Sequence, residues 1–380
     1  MSGLTLGVIG TALKENEFRA PIHPEQLPRI PEELRQRMSL EKGYGRRFGF
    51  PDEQLAKRVG SLKSREELMA DCDIILMPKP TDADLPSLRD GQILWGWPHC
   101  VQGPAITQCA IDKKLTVIAW EAMHIWKQDV WQMHVFHKNN EIAGYAGVLH
   151  AAQLKGITGH YGRRRRAAVI SFGSTGRGAI HALRGLGFHD ITLFTRRAGT
   201  LVTNPIPSLG HWQFNRVGDT AKADVQLDDG TRMTMAQALG HFDIVVNCIF
   251  QDTDAPFVFV DDNEIDELKL GSLIIDISCD EGMGFSFAKP TKFSKPSFPF
   301  GGRRGTYYAV DHTPSYLWNA ATYEISAALI PFIPTVMAGP DAWHKDTTIR
   351  KALEIQDGRI LNDKILNFQK RSAEYPHPLL

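Results

Sequence analysis

The stretch AAVISFGSTGRGAIHALRGLGFHDITLFTRR, residues 167–197, decides the fold of this chain of 380 residues. It begins with an apolar run at 167–172, passes through closely spaced glycines, and continues with apolar residues at helical spacing from Ile180 to Leu186. A second apolar run follows at 191–195. The pattern predicts a strand, a glycine turn, a helix and a second strand, which together form the βαβ unit typical of nucleotide binding.

The glycine turn indicates where a dinucleotide would bind. Against the pattern G-x-G-x-x-G, the chain has Ser171 at the first position, followed by Gly173 and Gly176. Glycines let the backbone approach a pyrophosphate, and the N–H groups that open the next helix, at Ser174 and Thr175, would hold its charge. A plain strand-to-helix turn is the alternative, but the order of strand, turn and helix favours a dinucleotide site.

The end of the second strand indicates which dinucleotide binds. An acidic residue there would accept the ribose hydroxyls of NAD, but this chain has Thr195, Arg196 and Arg197. The two guanidinium groups suit a 2′-phosphate because each donates charge-assisted hydrogen bonds. The sequence therefore predicts NADP(H) as the cofactor, with a solvated basic loop as the alternative.

Length and composition limit the classes of protein that fit. A chain of 380 residues exceeds what one hydrophobic core normally holds, so we expect two domains. The formal net charge is zero, and the basic run at 163–166 is typical of a solvated turn, which argues against nucleic acid or membrane partners. We find no signal sequence, no apolar stretch long enough to span a bilayer and no CxxC pair among the five cysteines, and therefore expect a cytoplasmic protein.

Two apolar runs in the first part of the chain each lead to an ionisable residue. The run at 73–77 precedes Lys79, and the run at 92–97 precedes His99. Ligands of doubly wound sheets bind at the carboxyl edge, so the two side chains are candidates for one cleft. A lysine and a histidine that titrate near neutrality suit proton transfer at a carbonyl or imine carbon. The alternative for each is an ordinary loop residue.

Two further residues are candidates for that cleft. Arg19 lies in the loop beyond the opening strand at 4–9, and one arginine suits a substrate carboxylate, with a surface ion pair as the alternative. Asp280 follows the strand at 270–278, where an aspartate that caps the next turn fits equally well. Both assignments depend on the expectation that strand ends meet at one edge of a sheet.

The segment 120–138 is rich in tryptophan and histidine. A zinc site would need further ligands at close spacing, and neither cysteine nor paired carboxylates accompany these histidines. We therefore expect a packed aromatic segment and no metal site.

These features together resemble the alanine dehydrogenase and pyridine nucleotide transhydrogenase family, which includes saccharopine dehydrogenase. The resemblance rests on Arg19 within KENEFRAPIHP, Lys79 within LMPKPTDADLPSLRDGQ, His99 within GWPH and Asp280 within IIDISCDEG. Within the family, the carboxyethylornithine synthases are most similar, through NEIAGYAGVLHA, LFTRR, DIVVNCI and DHTPSYLWNAATYEIS. The departure is Ser171, at a position where the family has glycine.

The resemblance implies an α/β fold of two Rossmann-like, doubly wound domains with a cleft between them. A discontinuous catalytic domain would comprise 1–138 and 316–380, the latter helical to its end, and 139–315 would bind the cofactor. Beyond the glycine turn and the arginines, the cofactor contacts implied by the resemblance are Cys248, Ile249 and Asp311.

For the reaction, the resemblance implies NADPH-dependent reduction of an imine formed from a 2-oxo acid and an amine. Arg19 would bind the carboxylate of the oxo acid, His99 and Lys79 would be the acid and base, and Asp280 would line the nicotinamide cleft. The alternatives are an amino-acid dehydrogenase that uses ammonia, a saccharopine dehydrogenase-like enzyme, and a non-catalytic NADPH-binding protein. All of these functions need only small-molecule partners. The sequence is also compatible with a homo-oligomer.

An amino acid as amine donor would bring a second carboxylate into the cleft, and Arg19 can bind only one of them bidentately. The candidate second cations are Arg46, Arg47, Arg303 and Arg304. We prefer the last pair because GGRRG precedes the strand that leads into DHTPS, and its glycines would let the loop close over substrate. A solvated basic loop is the alternative.

Overall fold

The computed structural model describes residues 3–201, 204–227, 230–252 and 254–380. The chain forms two compact units, one of Met1–His137 with Trp318–Leu380 and one of Lys138–Leu317. The first unit is thus built from both ends of the chain, and the second is continuous.

The strands are numbered in chain order. Those of the first unit begin with β1 (Leu6–Val8), β2 (Met38–Glu41), β3 (Ser61–Lys63), β4 (Ile74–Met77), β5 (Ile93–Gly96), β6 (Thr116–Ala119), β7 (His124–Lys127) and β8 (Val130–His134). Those of the second unit are β9 (Ala167–Ile170), β10 (Ile191–Thr195), β11 (Gly210–Arg216), β12 (Ala223–Gln226), β13 (Arg232–Thr234), β14 (Ile244–Asn247), β15 (Val258–Val260), β16 (Leu273–Asp276), β17 (Gly284–Phe285), β18 (Ser297–Phe300) and β19 (Gly305–Tyr308). The chain returns to the first unit with β20 (Leu353–Gln356) and β21 (Arg359–Ile360).

The α-helices are numbered in the same way. They are α1 (Glu32–Arg35), α2 (Asp52–Leu55), α3 (Arg65–Asp71), α4 (Pro104–Asp112), α5 (His137–Lys155), α6 (Ser174–Gly185), α7 (Met235–Leu239), α8 (Trp318–Leu329), α9 (Ile333–Ala338), α10 (Pro340–Trp343), α11 (Thr347–Ala352) and α12 (Asp363–Gln369). Short 3₁₀ segments lie between them, at Pro24–Arg29, Arg46–Phe48, Leu85–Ser87, Trp120–Ala122, Gly199–Leu201, Asp262–Glu267, Gly301–Arg303, Thr313–Leu317 and Ile330–Phe332.

The first unit is organised around an eight-stranded sheet in the order β21-β20-β6-β5-β4-β1-β2-β3. The strands β1 to β6 run parallel, and their order is that of two βαβαβ halves. The central strands β4, β5 and β6 are buried along their whole length, which explains their continuous apolar sequence. The expectation of helix to the end of the chain is wrong, because β20 pairs antiparallel with β6 and extends the sheet.

The second unit is organised around a nine-stranded sheet in the order β13-β12-β11-β10-β9-β14-β16-β19-β18. Its strands β9, β10, β11, β14, β16 and β19 run parallel in the order usual for dinucleotide-binding domains. Antiparallel strands extend both edges, β12 and β13 at one and β18 at the other. The predicted α/β class is confirmed: the opening stretch forms β9, a glycine turn, α6 and β10.

The aromatic segment 120–138 is only partly packed. Trp120 and Phe136 are fully buried and stack with ring centroids 4.9 Å apart. Between them, β7 and β8 form a hairpin that leaves Trp131 60% exposed. The expectation of a packed segment is therefore wrong for the hairpin, because β8 is exposed along most of its length. Among the residues that the structure describes, no group of three or more His, Cys, Asp or Glu side chains could hold a metal ion.

One helical run in the described part of the chain, Thr313–Ala338, is long and apolar enough to cross a membrane by length and composition alone. This corrects the expectation that no such stretch exists. Half of the apolar window is buried inside the protein, and core helices of soluble proteins pass the same test.

Candidate active site

Lys79 and His99 meet at the carboxyl edge of the first sheet. The strands β4 and β5 are neighbours in register, with Met77 opposite Gly96, and a proline lies within two residues of the end of each strand. The parallel strands therefore deliver the next residues to the same place, and Lys79 Nζ lies 2.9 Å from His99 Nε2. An amine and an imidazole at this distance can pass a proton between them, as the sequence interpretation requires.

Glu121 is the third member of this cluster, and the sequence interpretation missed it. The backbone N–H of His99 donates to Glu121 Oε1 at 2.7 Å, and the same oxygen lies 3.7 Å from His99 Nδ1. Burial, reinforced by the neighbouring Glu354 carboxyl group, raises the pKa of Glu121. A signal was present in the sequence, because Glu121 follows β6 just as Lys79 and His99 follow β4 and β5.

Replacing Glu121 with glutamine should change how stability depends on pH. The raised pKa means that the folded protein retains a proton here at pH values where the unfolded chain, with an ordinary pKa of about 4.5, has lost it. Native stability therefore falls as pH rises above about 4.5 towards the raised pKa. Each pKa unit corresponds to about 1.4 kcal/mol. We therefore expect the free energy of unfolding of the wild-type protein to fall by a few kcal/mol over this pH range, and that of Glu121→Gln to show no such fall. Urea unfolding of both proteins across this pH range measures the difference, and parallel curves would contradict it.

Arg19 forms a buried ion pair with Glu17. Its Nε donates to Glu17 Oε1 at 2.8 Å, its terminal nitrogen lies 2.5 Å from Glu17 Oε2, and both residues are less than 5% exposed. The guanidinium carbon lies 5.0 Å from the centroid of Trp97, two residues before His99. The sequence left a surface ion pair as the alternative to a substrate role, but this ion pair is buried. Trp97 also holds the guanidinium group near the edge of the sheet that carries Lys79.

The glycine turn of the second unit has the backbone geometry of a pyrophosphate-binding loop. Ser171 has a φ of 78°, in the left-handed region that favours glycine, so serine occupies a conformation for which the usual pattern has glycine. A Cβ on Gly176 would lie 2.2 Å from the carbonyl oxygen of Ser171, so only glycine fits there. Gly173 is the N-cap of α6 and makes no side-chain capping bond, so no side chain of the cap occupies the first N–H groups of the helix.

Glycines also position the start of α6 against α5. A Cβ on Gly144 would lie 1.9 Å from the carbonyl oxygen of Thr175, and a Cβ on Gly178 would lie 1.8 Å from the carbonyl oxygen of Glu141. The two helices therefore approach until their backbones touch. This contact fixes the direction of the helix end that follows the glycine turn.

The arginine pair lies beside the glycine turn. The strand β10 is the parallel neighbour of β9, so Arg196 and Arg197 leave the sheet at the same edge as Ser171. The Thr195 hydroxyl donates to the carbonyl oxygen of Arg197 at 2.6 Å, and Gln213 donates to that of Arg196 at 3.0 Å. The backbone is thus held while both arginine side chains remain exposed.

Other strand ends of the second unit carry the remaining candidates. Cys248 and Ile249 follow β14, and Asp311 follows β19. The distance between Asp311 Oδ1 and His312 Nδ1 is 2.6 Å. Asp280 follows β16, and burial raises its pKa to about 6, so this carboxyl group titrates near neutrality. Burial also raises the pKa of the Cys248 thiol, which makes it unreactive.

Asp276, which ends β16, is a second residue that the sequence interpretation missed. It is fully buried and accepts hydrogen bonds from Tyr307 Oη at 2.6 Å and from the N–H groups of Ser278 and Cys279 at 3.0 and 3.2 Å. Burial raises the pKa of Asp276 to about 6 despite these bonds. Asp276 therefore shapes the turn that presents Asp280.

The preferred donor loop at 301–305 lies elsewhere. It joins β18 to the amino end of β19, at the edge of the sheet opposite the one where β16 ends. There, Arg304 donates to the carbonyl oxygen of Leu268 at 2.7 Å and to Asp266 at 3.0 Å. The preference for Arg303 and Arg304 is therefore wrong, because Arg304 links two loops of the far edge.

The protein has two doubly wound sheets, and ionisable side chains lie at the strand ends of both. One sheet also carries a glycine turn without a side-chain cap. These features are typical of oxidoreductases with Rossmann-type domains. The family profile for the alanine dehydrogenase/PNT N-terminal domain matches residues 9–143, and that for the C-terminal domain matches residues 156–363. The chain belongs to the alanine dehydrogenase/PNT family, which confirms the resemblance inferred from the sequence.

Three similar proteins illustrate this relationship. The chain is 26% identical over 328 residues to N(5)-(carboxyethyl)ornithine synthase from Clostridium botulinum, which covers 82% of this chain and 89% of that one. It is 20% identical over 376 residues to alanine dehydrogenase from Mycolicibacterium smegmatis, and the matched residues cover 94% of this chain and 95% of that one. A solved L-alanine dehydrogenase has the same fold, with a TM-score of 0.77 and 17% identity over 96% of this chain and 99% of that one.

Proposed function

We propose that this oxidoreductase uses NADPH to join a 2-oxo acid such as pyruvate to the amino group of an amino acid, giving a secondary amine. The observation that carries the proposal is the contact of 2.9 Å between Lys79 and His99, with Arg19 beside Trp97 at the same edge. Imine formation needs such a pair, because the amine must lose a proton to attack and the carbinolamine must gain one to lose water.

In this reaction Arg19 binds the carboxylate of the oxo acid and so orients its carbonyl carbon. The pair of Lys79 and His99 accepts the proton of the attacking amine and then protonates the carbinolamine oxygen, which leaves as water. Glu121 holds the backbone of His99 and thereby keeps the imidazole facing Lys79. The product of this sequence is a protonated imine, which is the form that accepts a hydride readily.

The second unit offers residues that fit a dinucleotide. The N–H groups of Ser174, Thr175 and Gly176 would hold the pyrophosphate, and Arg196 and Arg197 would hold a 2′-phosphate. Cys248, Ile249, Asp280 and Asp311 follow strands at this edge and would line the nicotinamide side. When bound, the cofactor supplies the hydride that reduces the imine carbon.

The decisive experiment is an NADPH oxidation assay with a matrix of substrates. Pyruvate, 2-oxoglutarate and glyoxylate are each combined with a panel of amino acids and with ammonia, and the products are identified by mass spectrometry. We expect turnover only when an oxo acid and an amino acid are both present, and a product whose mass is that of the secondary amine. Turnover of an oxo acid with ammonia, in place of an amino acid, would instead place the protein with the amino-acid dehydrogenases.

A further inference from the structure

A second carboxyl group lies beside the cluster of Lys79, His99 and Glu121, and it comes from the far end of the chain. Glu354 belongs to β20, which pairs antiparallel with β6, so the first residues of β20 reach the edge of the sheet where β6 ends. Glu354 is only 3% exposed. The proposed reaction gives no role to this buried carboxyl group.

A bulge in β20 places the Glu354 side chain. The pairing of β20 with β6 shifts between Leu353 and Ile355, so Glu354 is the extra residue. Asn362 holds it twice, because its backbone N–H donates to the carbonyl oxygen of Glu354 at 3.2 Å and its Nδ2 donates to Glu354 Oε1 at 3.0 Å. One carboxyl oxygen of Glu354 is therefore fixed by the amide, and the other is directed elsewhere.

The second oxygen of each carboxyl group is buried without a hydrogen-bond partner among the residues that the structure describes. These two atoms are Glu121 Oε2 and Glu354 Oε2. The two groups are close, because the Glu354 carboxyl group is, after burial, the largest cause of the raised pKa of Glu121. Burial and then both carboxyl groups raise the pKa of the Cys100 thiol, which follows His99. Two ionised carboxylates only accept hydrogen bonds, so neither could satisfy the other.

The other ionisable groups around the pair are unevenly divided. Glu121 faces the two cations of the site, Lys79 and His99. His134 Nε2 also lies 3.2 Å from the carbonyl oxygen of Glu121, but burial lowers the pKa of His134 to about 4 and leaves this imidazole neutral. On the other side, the neighbours of Glu354 are uncharged, namely the Asn362 amide and the Cys100 thiol.

The conformation of His99 depends on the Glu121 carboxyl group. His99 has a φ of 51°, in the left-handed region that residues other than glycine rarely adopt. Glu121 Oε1 accepts the N–H of His99 at 2.7 Å and lies 3.7 Å from its Nδ1. The charge on Glu121 therefore acts on both the backbone and the ring of His99.

We propose that Glu121 and Glu354 share one proton and act as a single acid, which keeps one negative charge beside His99 across neutral pH. The proton lies between the two unpartnered oxygens, where one carboxyl group donates a short, charge-assisted hydrogen bond to the other. Two like charges at this separation oppose ionisation of both groups, and burial opposes it further. Glu354 is thus a positioning residue, because it acts on the imidazole through Glu121.

This inference rests on the proposed function and deepens it. During imine formation His99 and Lys79 take up and return protons, so their proton affinity must stay matched to the reaction. An acid pair with one shared proton has a constant charge between its two ionisations. The charge next to the imidazole therefore stays the same over the pH range in which the reaction runs.

The first test follows the carboxyl protons directly and needs no substrate. Infrared spectra recorded across pH report the absorbance of protonated carboxyl groups in the wild-type protein, Glu121→Gln and Glu354→Gln. We expect two steps in the wild-type protein and one step in each variant. The last wild-type step should need a proton concentration at least about tenfold lower than the step of either variant. Glu33→Gln, which replaces an exposed glutamate of α1, is the matched control and should leave both wild-type steps unchanged.

The second test measures the imidazole of His99 by NMR with ¹³C-labelled histidine, and the His99→Gln spectrum assigns the signal. The double variant Glu121→Gln/Glu354→Gln has no charge in the pair, so its His99 imidazolium should lose its proton at a proton concentration about tenfold higher than in the wild-type protein. Lys79→Met shows which part of the wild-type titration belongs to the neighbouring amine. Glu33→Gln should again match the wild-type curve.

The outcomes separate the acid pair from the function on which it rests. Wild-type carboxyl titration that equals the sum of the two single variants would overturn the pair, because independent groups add. An unchanged His99 titration in the double variant would also overturn it. Both measurements are made without substrate, so they stand even if no oxo acid and amino acid are turned over, a result that removes only the proposed function. Thermal melting of each variant shows that its titration is that of folded protein.

Discussion

Replacing Lys79 with methionine or His99 with glutamine is expected to lower kcat by about 10²–10⁴. The two side chains lie 2.9 Å apart and are the groups that move protons in the proposed imine formation. Methionine keeps the length of the lysine side chain without its amine, and glutamine keeps a polar side chain that does not titrate near neutrality. Steady-state assays with a saturating oxo acid and donor measure the effect.

Cofactor binding distinguishes a lost proton transfer from a disturbed fold. The glycine turn and Arg196 belong to the other unit, so fluorescence titration with NADPH should give the same Kd for both variants and the wild-type protein. Lys57→Met, which removes an exposed lysine of the first unit, serves as the control and should keep full turnover. Full activity in Lys79→Met or His99→Gln would remove that residue from the mechanism.

The protein is expected to bind NADPH at least about 100-fold more tightly than NADH. Each charge-assisted hydrogen bond from Arg196 or Arg197 to the 2′-phosphate contributes roughly 1.5–3 kcal/mol, or about tenfold or more in affinity. Arg196→Ala and Arg197→Ala should each weaken NADPH binding by at least that factor and leave NADH binding unchanged. Fluorescence titration or calorimetry measures both constants.

A matched control tests whether the effect belongs to position or to charge. Arg164→Ala removes an exposed arginine of the same unit from the run 163–166 and should leave both affinities unchanged. Because the proposed contact between these arginines and the 2′-phosphate is electrostatic, the preference for NADPH over NADH should also shrink as salt is added. Equal affinity of the wild-type protein for NADPH and NADH would contradict the assignment of NADP(H) as the cofactor.

The sequence contained enough information to predict the parallel strands and the ionisable residues just beyond their carboxyl ends. Uninterrupted apolar runs such as 74–77 are typical of strands buried on both faces, and the carboxyl ends of parallel neighbours must meet. This reasoning placed Lys79 beside His99, and the contact is present. The same reasoning applied to Ala119 would have found Glu121, but the tryptophans and histidines around it drew the interpretation towards an aromatic cluster.

The errors occurred where the chain reverses direction. GGRRG was taken for a loop of the active edge, but β18 runs antiparallel to β19 and carries Arg303 and Arg304 to the opposite edge. A short strand has the same apolar pattern in either direction, so sequence alone does not reveal the reversal. Glu354 was missed for a related reason, because β20 joins the first sheet from more than 200 residues away and only the pairing with β6 shows it.

The pairing of β6 with β20 has a consequence for biosynthesis. Translation proceeds at about 5–20 residues per second, so the edge of β6 waits roughly 10–50 s on the ribosome before its partner is made. Near the end of that interval the continuous unit Lys138–Leu317 has every strand it needs, while the N-terminal sheet still exposes a row of unsatisfied backbone groups. Premature termination after the continuous unit would therefore leave a fragment in which the edge of β6 is unpaired and prone to aggregation. Such fragments should be bound by chaperones and degraded by proteases.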